Sequence, residues 1–180
     1  MPKRKKQIRI LSLDPGTRYL GVCLLEGKKL CHSEVKILKT RGSPKKRLEE
    51  GRRIVSDLIK DYRVQVLVIE KPFFFWSKQS NLLNILVEEI KFLAKKKKIK
   101  VYEFSPRTVR KSVCGNGNAT KKDMAKFLAS IYPELRIRLN QNRRYKEIYW
   151  GHMFDAVGLG VCYLKRERNT KCRSYHLRFA

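Results

Sequence analysis

Acidic residues are scarce in this chain: 16 Asp and Glu stand against 43 Lys and Arg, a formal net charge of +27. Solubility does not need that much. Self-repulsion of this size is tolerated where a polyanion is the partner, and nucleic acid is the first candidate. No segment pairs a wide apolar face with a basic one, so a membrane surface is the weaker candidate. No apolar run spans a bilayer either, since the most apolar stretch, Trp150 to Leu164, is only about 15 residues long. No CxxC pair occurs among the cysteines Cys23, Cys31, Cys114, Cys162 and Cys172. Their odd number and spacing point to a reducing compartment, with neither a disulfide framework nor a zinc site. No secretory signal is expected, because the basic start MPKRKKQ runs straight into a strand.

Apolar residues make up 42% of the 180 positions, which excludes a disordered tail protein and predicts one domain over 1–180. Residues 1–7 read as a basic arm and 166–180 as a basic tail. Ile8 to Leu13 is a short apolar run of β-forming residues, Asp14 interrupts it, and Pro15-Gly16 turns the chain. Leu20, Val22, Leu24 and Leu25 resume β character. Val64 to Ile69 repeats the pattern, ending in Glu70 before Pro72. A carboxylate at the end of a buried strand is costly unless something neutralises it. One such acid can be a turn cap; two of them, each at a strand's carboxyl end where α/β sheets bind ligands, predict a site.

Between and beyond these strands the elements follow from punctuation and period. Gly27 turns the chain into a third strand, Leu30 to Leu38. Ser43-Pro44 caps a helix whose Leu48, Val55, Leu58, Ile59 and Tyr62 share one face, with Gly51 suggesting close approach to the sheet. Phe73-Phe74-Phe75-Trp76 follows the second acid, and its rings divide between core filling and base stacking. The helix of residues 81–97 carries two apolar stripes, more than one sheet contact requires, which suggests a subunit interface or, equally, deep burial. After a short strand, Lys100 to Phe104, the stretch from Ser105 to Lys122 holds Arg107, Arg110, Lys111, Lys121 and Lys122 with no acid. With the amino end of the helix Lys121 to Ile131 it predicts an anion-binding surface. Residues 134–148 read as a polar loop. Trp150 to Leu164 reads as the last helix, rich in Gly and Ala, with His152 and Asp155 three apart on one face.

Asp14, Glu70, His152 and Asp155 thus come from two strand ends and one helix face, a set suited to one or two hard cations. Two metals about 4 Å apart can activate a water and stabilise the leaving oxygen in phosphodiester cleavage. Four motifs carry a specific resemblance: LDPGTRYLGV, VLVIEKPFF, SPRTVRKSVCGNGNATKKDM and HMFDAVGLGVCYL. In this order they resemble the RuvC-type Holliday junction resolvases of the ribonuclease H-like superfamily.

The resemblance implies an α/β fold, a five-stranded mixed sheet flanked by helices. It implies a homodimer that nicks four-way DNA junctions symmetrically, joined through the helix from Asn81 to Lys97. By position, Asp14, Glu70 and Asp155 match the acidic metal ligands for two Mg²⁺ ions. His152 matches a position held by Asp or His, as metal ligand or proton-transfer group, and its imidazole makes Mn²⁺ acceptable too. Phe73, with Phe74 beside it, matches the aromatic that stacks on a base at the crossover. Arg110 and Lys121 match the residues that hold the scissile backbone. A cytoplasmic, nucleoid-associated setting follows for a bacterial or phage protein; the basic arms and the aromatic run leave viral or organellar origin open. The rival readings are a ribonuclease H-like nuclease for RNA or RNA–DNA hybrid, and a non-catalytic nucleic-acid-binding module of the same fold.

Overall fold

The computed structural model describes residues 7–38, 43–71, 78–139 and 144–176, and the side chains within 7–38, 43–71, 81–139 and 149–170. The order is β1 (Arg9–Pro15), β2 (Tyr19–Glu26), β3 (Lys29–Ile37), α1 (Pro44–Asp61), β4 (Val66–Glu70), α2 (Lys78–Lys96), β5 (Lys100–Phe104), α3 (Pro106–Cys114), α4 (Lys121–Ile131), a 3-10 turn (Pro133–Leu135), α5 (Arg136–Leu139) and α6 (Arg144–His176). The sheet runs β3-β2-β1-β4-β5. β1, β2 and β3 form an antiparallel meander, while β4 and β5 run parallel to β1. This is the mixed five-stranded sheet that the resemblance implies.

Side chains alternate across a strand, so each face of the sheet builds its own core. From β1 and β4, Leu11, Leu13, Leu67 and Ile69 face α1 and α2 and pack with Val55, Leu58, Leu86 and Ile90. Ile10, Val66 and Val68 face the other way, into a cluster with α3, α4 and α6. Ser12 belongs to that second face, since a Cβ on Gly160 of α6 would lie 2.9 Å from its hydroxyl. Continuing the alternation by one step puts Asp14 and Glu70 on the α6 side.

Helix α6 lies unusually close to the sheet, and missing side chains explain it. A Cβ on Gly21 of β2 would sit 2.0 Å from the carbonyl oxygen of His152. Gly158 does the same service toward Val109 and Met124 of α3 and α4. The tight packing expected of the Gly- and Ala-rich helix is therefore observed.

Several boundaries differ from the sequence reading. Gly51 receives Leu86 of α2, whose Cδ1 lies 2.9 Å from a Cβ built there, so the close approach is to a helix and not to the sheet. The region read as a loop over 134–148 contains the 3-10 turn, α5 and the first turn of α6. The basic segment from Lys165 continues α6 to His176 instead of forming a tail. Both misreadings share a cause: polar residues with no Pro or Gly among them have ordinary helix propensity, and apolar periodicity does not register them. Ser105 caps α3, its hydroxyl accepting from the Thr108 N–H at 3.2 Å, and Gly115 closes it with a φ of 79°. Arg107, Arg110 and Lys111 thus ride on a helix of their own. Helix α2, expected from Asn81, begins at Lys78, three residues earlier.

Candidate active site

Strand register builds the first half of the site. β1 and β4 are parallel neighbours with Leu13 opposite Ile69, so Asp14 and Glu70 stand side by side at their carboxyl ends. Asp14 is buried, with 6% of its surface exposed. α6 supplies the second half. His152 lies over Gly21, the residue paired with Asp14 across β1 and β2. Its Nδ1 is 2.6 Å from Asp14 Oδ2. Against a carboxylate in its ionised form only an Nδ1–H can donate, and that tautomer leaves Nε2 for a second partner. Asp155, one helical turn on, is 7% exposed and opens toward α4.

α4 answers with a cation. Thr120 caps it in a reciprocal box: its hydroxyl accepts from the Asp123 N–H at 3.1 Å, and its own N–H donates to Asp123 Oδ2 at 3.0 Å. The cap fixes Lys121 at the first helical position, where Nζ donates to Asp155 Oδ2 at 2.6 Å. Arg110 reaches the same place from α3. Glu70, Arg110, Lys121 and Asp155 line a cleft of about 110 Å³ whose apolar walls are Pro106, Val109 and Met124.

Electrostatics make the cleft short of positive charge. Burial, then the neighbouring Asp14 and Asp155, pushes the Glu70 carboxyl up to about 8, although Lys121 and Arg110 oppose the shift. Burial and Asp14 also raise Asp155, against Lys121 and His152. Burial pulls the Lys121 ammonium down, but Asp155, Asp14 and Glu70 outweigh it and hold the proton on. Three carboxylates thus stand near one another on one side of the sheet, with Lys121 and Arg110 as the cations beside them. Among the described residues no group of three or more His, Cys, Asp or Glu side chains is drawn together closely enough to hold a metal ion. Asp14 and Asp155 each have one oxygen engaged, by His152 and by Lys121, and one to offer.

The sequence profile described as crossover junction endodeoxyribonuclease RuvC matches residues 10–144. The chain belongs to this family. A RuvC of Sulfurovum sp. is 30% identical over 177 residues, covering 91% of this chain and 99% of that protein. One of Cytophaga hutchinsonii is 26% identical over 169 residues, covering 90% and 78% respectively. Among solved structures, RuvC of Thermus thermophilus superposes with a TM-score of 0.72 at 21% identity, over 91% of this chain and 97% of that one. The yeast mitochondrial Holliday junction resolvase Ydc2 gives 0.76 at 14% identity, over 97% and 85%. The RuvC match makes the chain a crossover junction endodeoxyribonuclease, a metal-dependent nuclease by family.

Of the residues named from the sequence, Asp14 contacts His152, Asp155 contacts Lys121, and Glu70 and Arg110 line the cleft with Asp155 and Lys121. Arg107 packs under the Gly117 turn instead, with its Cγ 3.1 Å from a Cβ built there. Lys111 and Lys122 are exposed and do not line the cleft. Phe73 and Phe74 lie outside the described residues. The sequence reading missed the walls Val109 and Met124. Nothing distinguishes them from core positions in sequence, because they are also core positions. It also read Lys121 only as a phosphate contact, whereas in the free protein its partner is a carboxylate.

Proposed function

We propose that this chain resolves four-way DNA junctions by paired nicks, using Asp14, Glu70 and Asp155 to hold two Mg²⁺ ions, with His152 beside them. One observation carries the reading: Asp14, Glu70 and Asp155 gather from two strand ends and one helix, where burial, then Asp14 and Asp155, pushes the Glu70 carboxyl up to about 8. Divalent ions there would neutralise the acids, make a water nucleophilic near neutral pH and stabilise the departing 3′ oxygen. The chain's own groups supply the rest. Lys121 and Arg110 stand on the Asp155 side, where non-bridging phosphate oxygens would accept from them and keep the scissile bond in line. His152, its Nδ1–H committed to Asp14, offers Nε2 as proton carrier or ligand. Phe73 and Phe74, directly after β4, would stack on bases at the crossover.

Two nicks need two sites, and α2 is the candidate partner surface. Its inner positions Leu86, Val87, Ile90 and Ala94 are buried, yet Phe92 is 71% and Ile85 48% exposed, seven residues apart on one outer face. A second copy of α2 would cover both. A DNA-containing, reducing compartment such as the cytoplasm suits the free thiols of Cys23, Cys31, Cys114 and Cys162. No helix among the described residues is long and apolar enough to cross a membrane.

The test is cleavage of a synthetic four-way junction beside linear duplex and an RNA–DNA hybrid, with Mg²⁺, Mn²⁺ or EDTA. Symmetric paired nicks in the junction alone, lost in EDTA and in Asp14→Asn, are expected. Preferential cutting of the hybrid would overturn the substrate, and junction binding without cleavage in any metal would overturn the chemistry.

A further inference from the structure

The acid cleft is half of a longer surface. On the Asp155 side stand Arg110 and Lys121; on the His152 side the chain builds something different. Tyr19 lies 5.8 Å from the His152 ring and 5.6 Å, edge to face, from Tyr149. Tyr149 meets Trp150 at 4.7 Å. Each end of this aromatic chain is closed by an arginine: Arg18 sits 5.5 Å from the Tyr19 ring centre and Arg138 4.2 Å from that of Trp150. Arg18 and Tyr19 stand at the start of β2, more than a hundred residues before Arg138 of α5 and Tyr149 and Trp150 of α6.

Packing alone does not account for the two arginines. Both are exposed, while Tyr19, Tyr149 and Trp150 are half-buried. Neither arginine pairs with a carboxylate among the described residues, whereas other basic side chains pair with Glu26, Glu34, Asp57, Glu88 and Glu103. Stacking on a ring orients a guanidinium but leaves its N–H fork unused. A planar fork, held rigid and unpaired at the surface, matches a phosphate oxygen pair. The ridge is anchored as well: Tyr149 donates its hydroxyl to the Val35 carbonyl at 3.1 Å, tying α6 to the sheet edge.

We infer that the ridge Arg18–Tyr19–Tyr149–Trp150–Arg138 is a second DNA-contact surface, gripping the backbone of the duplex arm that leaves the cleft on the His152 side. Arg18 and Arg138 each take one phosphate, and the aromatic chain holds them at a fixed separation. This rests on the junction-cutting reading and adds where the substrate runs beyond the scissile phosphate. A flat, sequence-independent grip is the outcome, since no group on the ridge reads a base edge.

The experiment measures anisotropy of a labelled four-way junction in Ca²⁺ across a salt series, for wild type, Arg18→Ala/Arg138→Ala, Arg18→Lys/Arg138→Lys and Arg110→Ala. Losing two phosphate contacts lowers the slope of log affinity against log salt by about 2 and weakens binding about tenfold or more at moderate salt. The lysine pair recovers the slope, which a merely structural role would not produce. A junction with arms cut short of the ridge should bind wild type and the alanine pair alike. An unchanged slope in Arg18→Ala/Arg138→Ala, with Arg110→Ala still weakened, would overturn the ridge and leave the nuclease reading standing. Wild type that neither binds nor cuts the junction would overturn both.

Discussion

Gly21→Ala is the substitution that should separate fold from site most sharply. The added Cβ would lie 2.0 Å from the His152 carbonyl oxygen, 2.5 Å from its carbon and 3.2 Å from its Cα. Ordinary contact for such atoms is about 3.5 Å, so strand and helix must part by more than 1 Å, and neither side is a flexible tip. β2 is hydrogen-bonded on both edges, to β1 and to β3. α6 is seated in the core through Met153, Ala156, Val157 and Leu159. Overpacking of that kind costs about 1–3 kcal/mol, and at this chain length each kcal/mol lowers Tm by about 2–4 °C. The expected fall is therefore up to about 12 °C by calorimetry. The same displacement lengthens the 2.6 Å contact between His152 and Asp14, which Gly21 faces across the strand pair. A misplacement of about 1 Å at a reacting centre can cost 10²-fold in rate, so single-turnover cleavage should drop by about that factor. Gly151→Ala is the control, one residue before His152 on the same helix, with nothing within 4 Å of a Cβ there. It should hold or raise Tm, since alanine favours a helix interior by about 1 kcal/mol over glycine. If the two variants shift Tm alike, or Gly21→Ala leaves cleavage within about threefold of wild type, the close approach at Gly21 does not set the position of His152.

Other expectations follow from the same geometry. In EDTA, the Glu70 carboxyl ionises at about 8 in the fold against 4.5 in the unfolded chain, so wild type loses stability as pH rises through that window. Glu70→Gln should match wild type below pH 4.5 and exceed it increasingly toward pH 8, by chemical denaturation; parallel curves would refute the buried-acid argument. Phe92→Glu should shift the protein to monomer in sedimentation and uncouple the two nicks, leaving singly nicked junctions, whereas an unchanged mass would remove α2 from the interface. Thr120→Ala breaks the capping box that sets Lys121, and should cost about 1 kcal/mol in stability together with a loss of cleavage larger than that cap alone explains. A stability loss with full activity would show that Lys121 needs no such positioning.

The sequence made the sheet and the acids legible for one reason. Apolar strands end in Asp14 and Glu70, and a charge at the end of a buried run is visible without coordinates. His152 and Asp155 were equally plain, as polar members of an apolar helix. α3 was less so, because its nine residues carry only Val109 and Val113 as buried positions. The true length of α6 was hidden where its last turns leave the core and only propensity holds them helical. Lys121 was legible as a cation but not as the partner of Asp155, since that pairing spans 34 residues and depends on how α4 is capped. The ridge from Arg18 to Arg138 had no sequence signal, being assembled from single residues on separate elements.

The pairing of β1 with β4 has one further consequence. Because Asp14 and Glu70 extend a parallel ladder, their separation is set by the spacing between strands, about 4.8 Å, and not by the side chains around them. The distance between the two acids is thus a constant of the backbone lattice, indifferent to most substitutions in the core. What it cannot survive is a change of count. Removing one residue between Ile8 and Leu13, with the hydrophobic content untouched, rotates Asp14 to the α1 and α2 face and leaves Pro15 in its place at the cleft. These strands behave as a ruler, tolerant in what each mark is made of and intolerant of a missing mark.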